Sequence, residues 1–252
     1  MENRINSIND VLKAYEDLLL GYTDNYKEYI YKDAVFIQRL KGHLCTEPLR
    51  AYISQMQETD IHDFSTTSVN AETETMAYAL VSYERDKRFV TNVLGLVKDQ
   101  ERWMIVLSMV SESEDPLNNW FSSIEEQTKE LSNIIKAIDT YIEGIYTLDS
   151  SLALSVFEEH ARMLSTDKDG NLADFPCTVF GERWKGLCPA SESGISKYGN
   201  VENIRMLSNN LAVVQVMDAK RWDFFHDYLS FAKINEKWMV IHKITRMPTS
   251  KR

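Results

Sequence analysis

The phrase Lys98 to Val106, KDQERWMIV, returns almost unchanged as Lys233 to Ile241, KINEKWMVI. In register, Phe89 faces Phe224, Asn92 faces Asp227, Leu94 faces Leu229, Lys98 faces Lys233 and Trp103 faces Trp238, every pair at the same interval. Shared apolar alternation with a turn at the same place points to two copies of one supersecondary unit. A chain of 252 residues has room for two domains of ordinary size.

The stretches RFVTNVLGLVKDQERWMIVLSMV and DFFHDYLSFAKINEKWMVIHKI are each two extended, aromatic and β-branched runs around a short polar turn, and so predict a β-hairpin in each half. FSTTSVNA and TMAYALVSYE precede the first, NVENIRML and NLAVVQVMD the second, so each half closes in a meander of about four strands. Helices open each half. Ile124, Leu131, Ile134, Ile138, Tyr141 and Ile145 recur at helical spacing behind Ser122 and Ser123 as candidate caps. The run from Ser7 to Ile37 reads as two helices broken near Gly21 to Asn25, SSLALSVFEEH as the matching second helix of the later half, and TEPLRAYISQM and PCTVFGERWK as third helices. The acidic, proline-containing stretch Ser111 to Trp120 marks the boundary, giving domains 1–112 and 121–252 with a linker at 113–120.

A net charge of −10 without a basic stripe excludes nucleic acid and an anionic membrane as main partners. The polar start MENRINSINDVLK lacks a secretory pattern, and no apolar run approaches bilayer length, so a cytoplasmic location is expected. Cys45, Cys177 and Cys188 have no zinc spacing and read as free thiols, and no two histidines form a helical ligand pair, so neither metal nor cofactor is expected. In DKDGNL, Asp167 to Leu172, the glycine comes too early for a calcium loop and Thr178 stands where its closing glutamate would be, leaving a hairpin turn.

With YIEGIYTLDSSLALSVFEEHARML, DKDGNL, NLAVVQV and FFHDYLSFAKINEKWMVIHK, the second half resembles the nuclear transport factor 2-like superfamily, closest to its lumazine-binding subgroup. SnoaL-like polyketide cyclases and ketosteroid isomerases are related to it. The resemblance implies an α+β fold of two tandem cone-shaped domains, each with about three helices on a curved, mainly antiparallel sheet around a pocket. It also implies dimer-like association, either an intramolecular pseudo-dimer of the halves or a homodimer. On the isomerase pattern Tyr141 falls at the oxyanion-binding tyrosine and Asp227 at the protonated acid, but the proton-transferring aspartate is replaced by Ser165, so that chemistry lacks its base and no catalytic residue is assigned. In the first half Asn92 stands for Asp227, Gln38 for Ser165, and Tyr15 or Leu18 for Tyr141, making it the less functional copy.

Strand alternation sets Asp227 on one face with Leu229 and Phe231, and a carboxylate on an apolar face must be paired, protonated or open to a cavity. His226 points to the other face and forms no dyad with it. The expected site is therefore a small-organic-ligand pocket in the second domain, lined by Tyr141, Asp227, Leu229 and Phe231 with Trp184 and Trp238 as walls. The alternatives are an enzyme of the cyclase, isomerase or dehydratase type and a non-catalytic interaction module.

Overall fold

A computed structural model describes residues 7–23, 26–40, 43–56, 60–71, 73–114, 120–166, 171–220 and 223–246. They form two compact units, the first built from elements between Ile8 and Ser113, the second from elements between Ile124 and Arg246. Most of the expected linker, and Asp167 to Gly170 of the expected hairpin turn, lie outside the described residues.

The first unit opens with α1 (Ile8–Leu19), started by a reciprocal cap in which Ser7 Oγ accepts from Asp10 N at 3.2 Å and the Asp10 carboxylate accepts from Ser7 N at 3.0 Å. Its apolar face buries Val11, Leu12, Tyr15, Leu18 and Leu19. There follow β1 (Ile30–Leu40), β2 (His43–Pro48), α2 (Leu49–Met56), β3 (Ile61–Asn70), β4 (Met76–Arg85), β5 (Arg88–Asp99) and β6 (Arg102–Ser113). The sheet order is β2-β1-β6-β5-β4-β3, with β1 parallel to β6 and the other pairs antiparallel.

The second unit repeats the plan. It runs α3 (Ile124–Thr147), α4 (Ser150–Leu154), β7 (Phe157–Thr166), β8 (Leu172–Pro176), a 3-10 turn at Cys177–Val179 leading into α5 (Phe180–Trp184), then β9 (Gly199–Met206), β10 (Leu211–Lys220), β11 (Asp223–Ile234) and β12 (Lys237–Arg246). Its sheet order, β8-β7-β12-β11-β10-β9, is the first unit's order over again, and β7 runs parallel to β12 as β1 does to β6. The fold is thus α+β with a mixed, mainly antiparallel six-stranded sheet in each half.

One expected helix is a strand and another is cut short. The segment after Gly21 leads into β1, and SSLALSVFEEH forms the short helix α4 over Ser150–Leu154 before entering β7 at Phe157. Local periodicity in both is ambiguous, and the deciding interaction is parallel pairing with β6 and β12, far away in sequence. These strands, with β2 and β8, extend the expected four-strand meanders to six.

The hairpin turns fall where the sequence puts them. Asn235 and Glu236 both adopt positive φ, 48° and 63°, as a two-residue turn between strands of right-handed twist requires. A register shift between Ser230 and Phe231 makes Ile241 an extra residue in β12, and a shift between Gly95 and Leu96 does the same for Val106 in β6. This β-bulge reverses the facing of every residue after it.

Inside the second unit, α3 and α4 cross so closely that a Cβ on Gly144 would sit 2.5 Å from Ala153 N and 2.7 Å from its Cα. Both are backbone atoms and cannot swing away. Gly144→Ala is therefore expected to destabilise this unit by about 1–3 kcal/mol, read as a lower urea midpoint. Among the described residues, no helix is long and apolar enough to cross a membrane.

Candidate functional site

The second unit's sheet and helices enclose a cavity of about 300 Å³. Helix α3 presents Tyr141 and Ile145, α5 presents Phe180, Arg183 and Trp184, and the sheet presents Met163, Asp218, Lys220, Lys243 and Thr245 among others. Phe180 and Trp184 stack with ring centroids 5.3 Å apart and planes 21° from parallel, forming a flat aromatic wall.

Beneath the cavity lies a fully buried polar cluster. Tyr141 donates its hydroxyl hydrogen to Asp227 Oδ2 at 2.7 Å, and Lys243 donates to the Tyr141 hydroxyl and to the same carboxylate oxygen. The Lys243 side chain is 5% exposed and that of Asp227 is 0%. Burial pushes Asp227 up, but the Lys243 charge and the hydrogen bond from Lys243 outweigh it and hold the carboxyl below its usual range. Asp227 is therefore an ion-paired acceptor, whereas the resemblance implies a protonated acid at that position.

The acid whose neutral form the surroundings favour is Asp218 instead. It stands two residues beyond Val216, the cross-strand partner of Asp227, and so shares a face with it. Burial, then the Asp227 charge, drives it well above the ordinary carboxylate value, which favours its protonated form. Tyr141 is likewise kept neutral, by burial first and Asp227 second. The floor thus offers neutral O–H groups and an ammonium to whatever enters.

Of the residues expected to form the site, Tyr141 and Trp184 line the cavity. Asp227 lies just below it, bonded to Tyr141 and Lys243. Leu229, Phe231 and Trp238 do not line it: Leu229 and Phe231 are fully buried in the apolar core, and the Trp238 indole donates to Glu130 Oε2 at 2.6 Å. Alternation along β11 continues past the cavity into packed core, so sharing a face with Asp227 did not mean sharing the cavity. His226 is on the opposite face, across from Arg246. Ser165 is buried, and its hydroxyl has no hydrogen-bond partner among the described residues. Burial pushes the Cys177 thiol up to about 12, which leaves it an unreactive thiol.

Sequence reasoning missed Asp218, Lys220, Arg183 and Lys243. A signal for Lys243 exists in the repeat: at the interval that pairs Asn92 with Asp227, Ser108 pairs with Lys243. Acid and base enter the second copy together. In the first unit the same places hold an uncharged chain, Ser108 Oγ to Asn92 Oδ1 at 3.1 Å and Asn92 Nδ2 to the Tyr15 hydroxyl at 3.0 Å. Tyr15, rather than Leu18, is thus the counterpart of Tyr141. Tyr83 stands for Asp218, and Phe36, two residues before Gln38, stands for Met163 and stacks on Tyr52 at 3.4 Å between centroids. Aromatic rings fill that interior.

Residues 129–245 match the family described as "Putative lumazine-binding". No curated protein matches the chain. Solved structures similar to it include a nuclear transport factor 2-like protein of unknown function from Shewanella baltica, 21% identical over 49% of this chain and 97% of that one, with a TM-score of 0.44. A nuclear transport factor 2-like protein of unknown function from Methylobacillus flagellatus is 18% identical over 51% and 96%, TM-score 0.42. A ketosteroid isomerase-like protein from Erwinia carotovora atroseptica is 11% identical over 48% and 98%, TM-score 0.36. The match to the family described as "Putative lumazine-binding" thus falls within the second unit, from α3 to β12.

Proposed function

We propose that the chain is a tandem of two domains, 1–112 and 121–252 joined by 113–120, whose second domain binds a small organic molecule above Tyr141. The observation that carries this reading is the cavity of about 300 Å³ with aromatic walls and a floor of fixed polar groups, at a place where the first domain packs the buried rings of Tyr15, Phe36, Tyr52 and Tyr83. Apolar walls supply affinity by removing surface from water, and a few placed polar groups set orientation. In this reading Tyr141, Asp218 and Lys243 meet the ligand, Trp184 covers it, and Asp227 acts through Tyr141 and Lys243 by fixing their positions. The family likeness supports small-molecule binding as the class of function.

Thermal-shift screening of a metabolite library against the full chain tests the reading. A ligand at a hundred times its Kd adds about 2.7 kcal/mol to the stability of the domain that holds it. Met163→Phe, which places the first domain's Phe36 at the cavity wall, is expected to weaken any hit at least tenfold while leaving the unliganded melting temperature within a few degrees. Trp184→Ala is expected to weaken it by about tenfold, the loss of one stacked wall. Failure of every compound to raise the melting temperature, or hits indifferent to both substitutions, would sink the pocket reading.

A second reading is favoured by one pair of groups: the Asp218 carboxyl, pushed up by burial and the Asp227 charge, on the same face as Asp227, which Lys243 holds low. A protonated carboxyl next to a charged one can deliver a proton to a bound substrate, as an enzyme of the cyclase, isomerase or dehydratase type would need. Asp218→Asn separates the readings, because it abolishes turnover of a hit compound while leaving its binding within a few fold.

A further inference from the structure

The cavity's charges are unevenly matched. Deep in the floor Lys243 is neutralised by Asp227. At the mouth Arg183 and Lys220 form no ion pair among the described residues. Of the two carboxylates that line the cavity, Asp223 and Asp218, burial and the Asp227 charge disfavour the ionised form of Asp218, which leaves Asp223 as the main counter-charge to the two cations. Burial lowers the proton affinity of the Lys220 ammonium, and although Asp223 raises it, Arg183 lowers it again, as expected of like charges facing one small space. Arg183 is held in place by Phe175, with its guanidinium carbon 3.7 Å from the ring centroid. A cationic mouth on a chain of net charge −10 is a local reversal that attracts anions into the cleft.

Resting on the pocket reading, the geometry points to a planar conjugated anion as the occupant: a ring laid along the Phe180–Trp184 wall, with a carboxylate, sulfonate or phosphate directed to Arg183 and Lys220 at the mouth. Each partner supplies one part of the recognition. The flat wall selects an aromatic or conjugated ring over a globular aliphatic one. The guanidinium fork and the ammonium take the anion by charge-assisted hydrogen bonds. The volume, at the lower end of the ~300–1,000 Å³ common for ligand sites, limits the occupant to a small molecule.

Two fluorescent probes with the same rings test this on the full chain: anilinonaphthalene sulfonate, which carries the anion, and phenylnaphthylamine, which lacks it. The sulfonate is expected to bind at least tenfold tighter, and its affinity to fall as salt rises. Arg183→Met and Lys220→Met are each expected to weaken the sulfonate by about three- to tenfold and to leave phenylnaphthylamine unchanged. Trp184→Ala is expected to weaken both. Melting temperatures of the two mouth variants should match the parent, since neither side chain is in the core. Equal binding of the two probes, or indifference of the sulfonate to both mouth substitutions, overturns the anion inference while leaving the pocket. If neither probe binds, or Trp184→Ala changes neither affinity, the pocket reading itself fails and the anion inference with it.

Discussion

Lys243→Met is expected to destabilise the second unit by about 3–5 kcal/mol, because it strands the Asp227 carboxylate in a site with no exposure. Asp227→Asn strands the Lys243 ammonium instead and is expected to cost a similar amount. Their combination with a serine, Asp227→Asn with Lys243→Ser, is expected to recover most of the loss. It recreates the Tyr–Asn–Ser chain through which Tyr15, Asn92 and Ser108 satisfy one another in the first unit. Neutral replacement of both members of a buried pair removes the desolvation of two ions together with their attraction. A double-mutant cycle built on Asp227→Asn and Lys243→Ser, each alone and combined, should therefore give a coupling above about 2 kcal/mol. With two units in one chain a single global midpoint mixes two transitions, so the measurement should be amide exchange in β11 and β12 against urea. Additive losses in the double variant would mean that the pair is not the coupled unit described above.

The second large effect is on acid stability. His242 is buried between the register positions of Ser230 and Arg162, and neither ring nitrogen has a hydrogen-bond partner among the described residues. Burial, with a smaller contribution from Arg162, lowers it from 6.5 to about 3. The folded chain thus refuses a proton that the unfolded chain accepts. Its contribution is intact above about pH 6.5 and is lost as the pH falls from there towards 3, a span worth roughly 4–5 kcal/mol. Asp227, held low, adds to acid loss only below its ordinary value of 3.8. Asp218, held high, has the opposite sign: its contribution is present below 3.8 and lost as the pH rises through its raised value. His242→Leu puts in the residue that the first unit carries at the matching place, Leu107, which is itself buried. It is expected to flatten the fall in urea midpoint between about pH 7 and about pH 4. An unchanged slope in that variant would assign the acid sensitivity to other groups.

The sequence carried the repeat, the terminal hairpins and α3 because each is written in local pattern: alternation on both sides of a polar turn, or apolar spacing behind a capping serine. It did not carry β1 and β7, whose identity depends on partners at the far end of their own units. Tyr141 and Asp227 were legible as polar groups on apolar faces. Lys243 was not, for a geometric reason. Counting alternately from Trp238 puts Val240 and His242 inside and Lys243 outside, and the bulge at Ile241 exchanges them, turning Lys243 and Thr245 inward and His242 outward. One unpaired residue therefore decides which titratable side chain meets Asp227.

Strand order bears on how these units are made. In each sheet the strand translated last, β6 or β12, lies between the first two strands of the sheet and the other three. A nascent chain emerging from the ribosome can form α3 early, yet β7 has only the short β8 to pair with until β12 is synthesised. Each half must then assemble in a late concerted step that closes a long loop. Through that delay the apolar stretches of β10 and β11 are exposed to chaperones, and a stall before β12 would release a product missing the middle of its sheet.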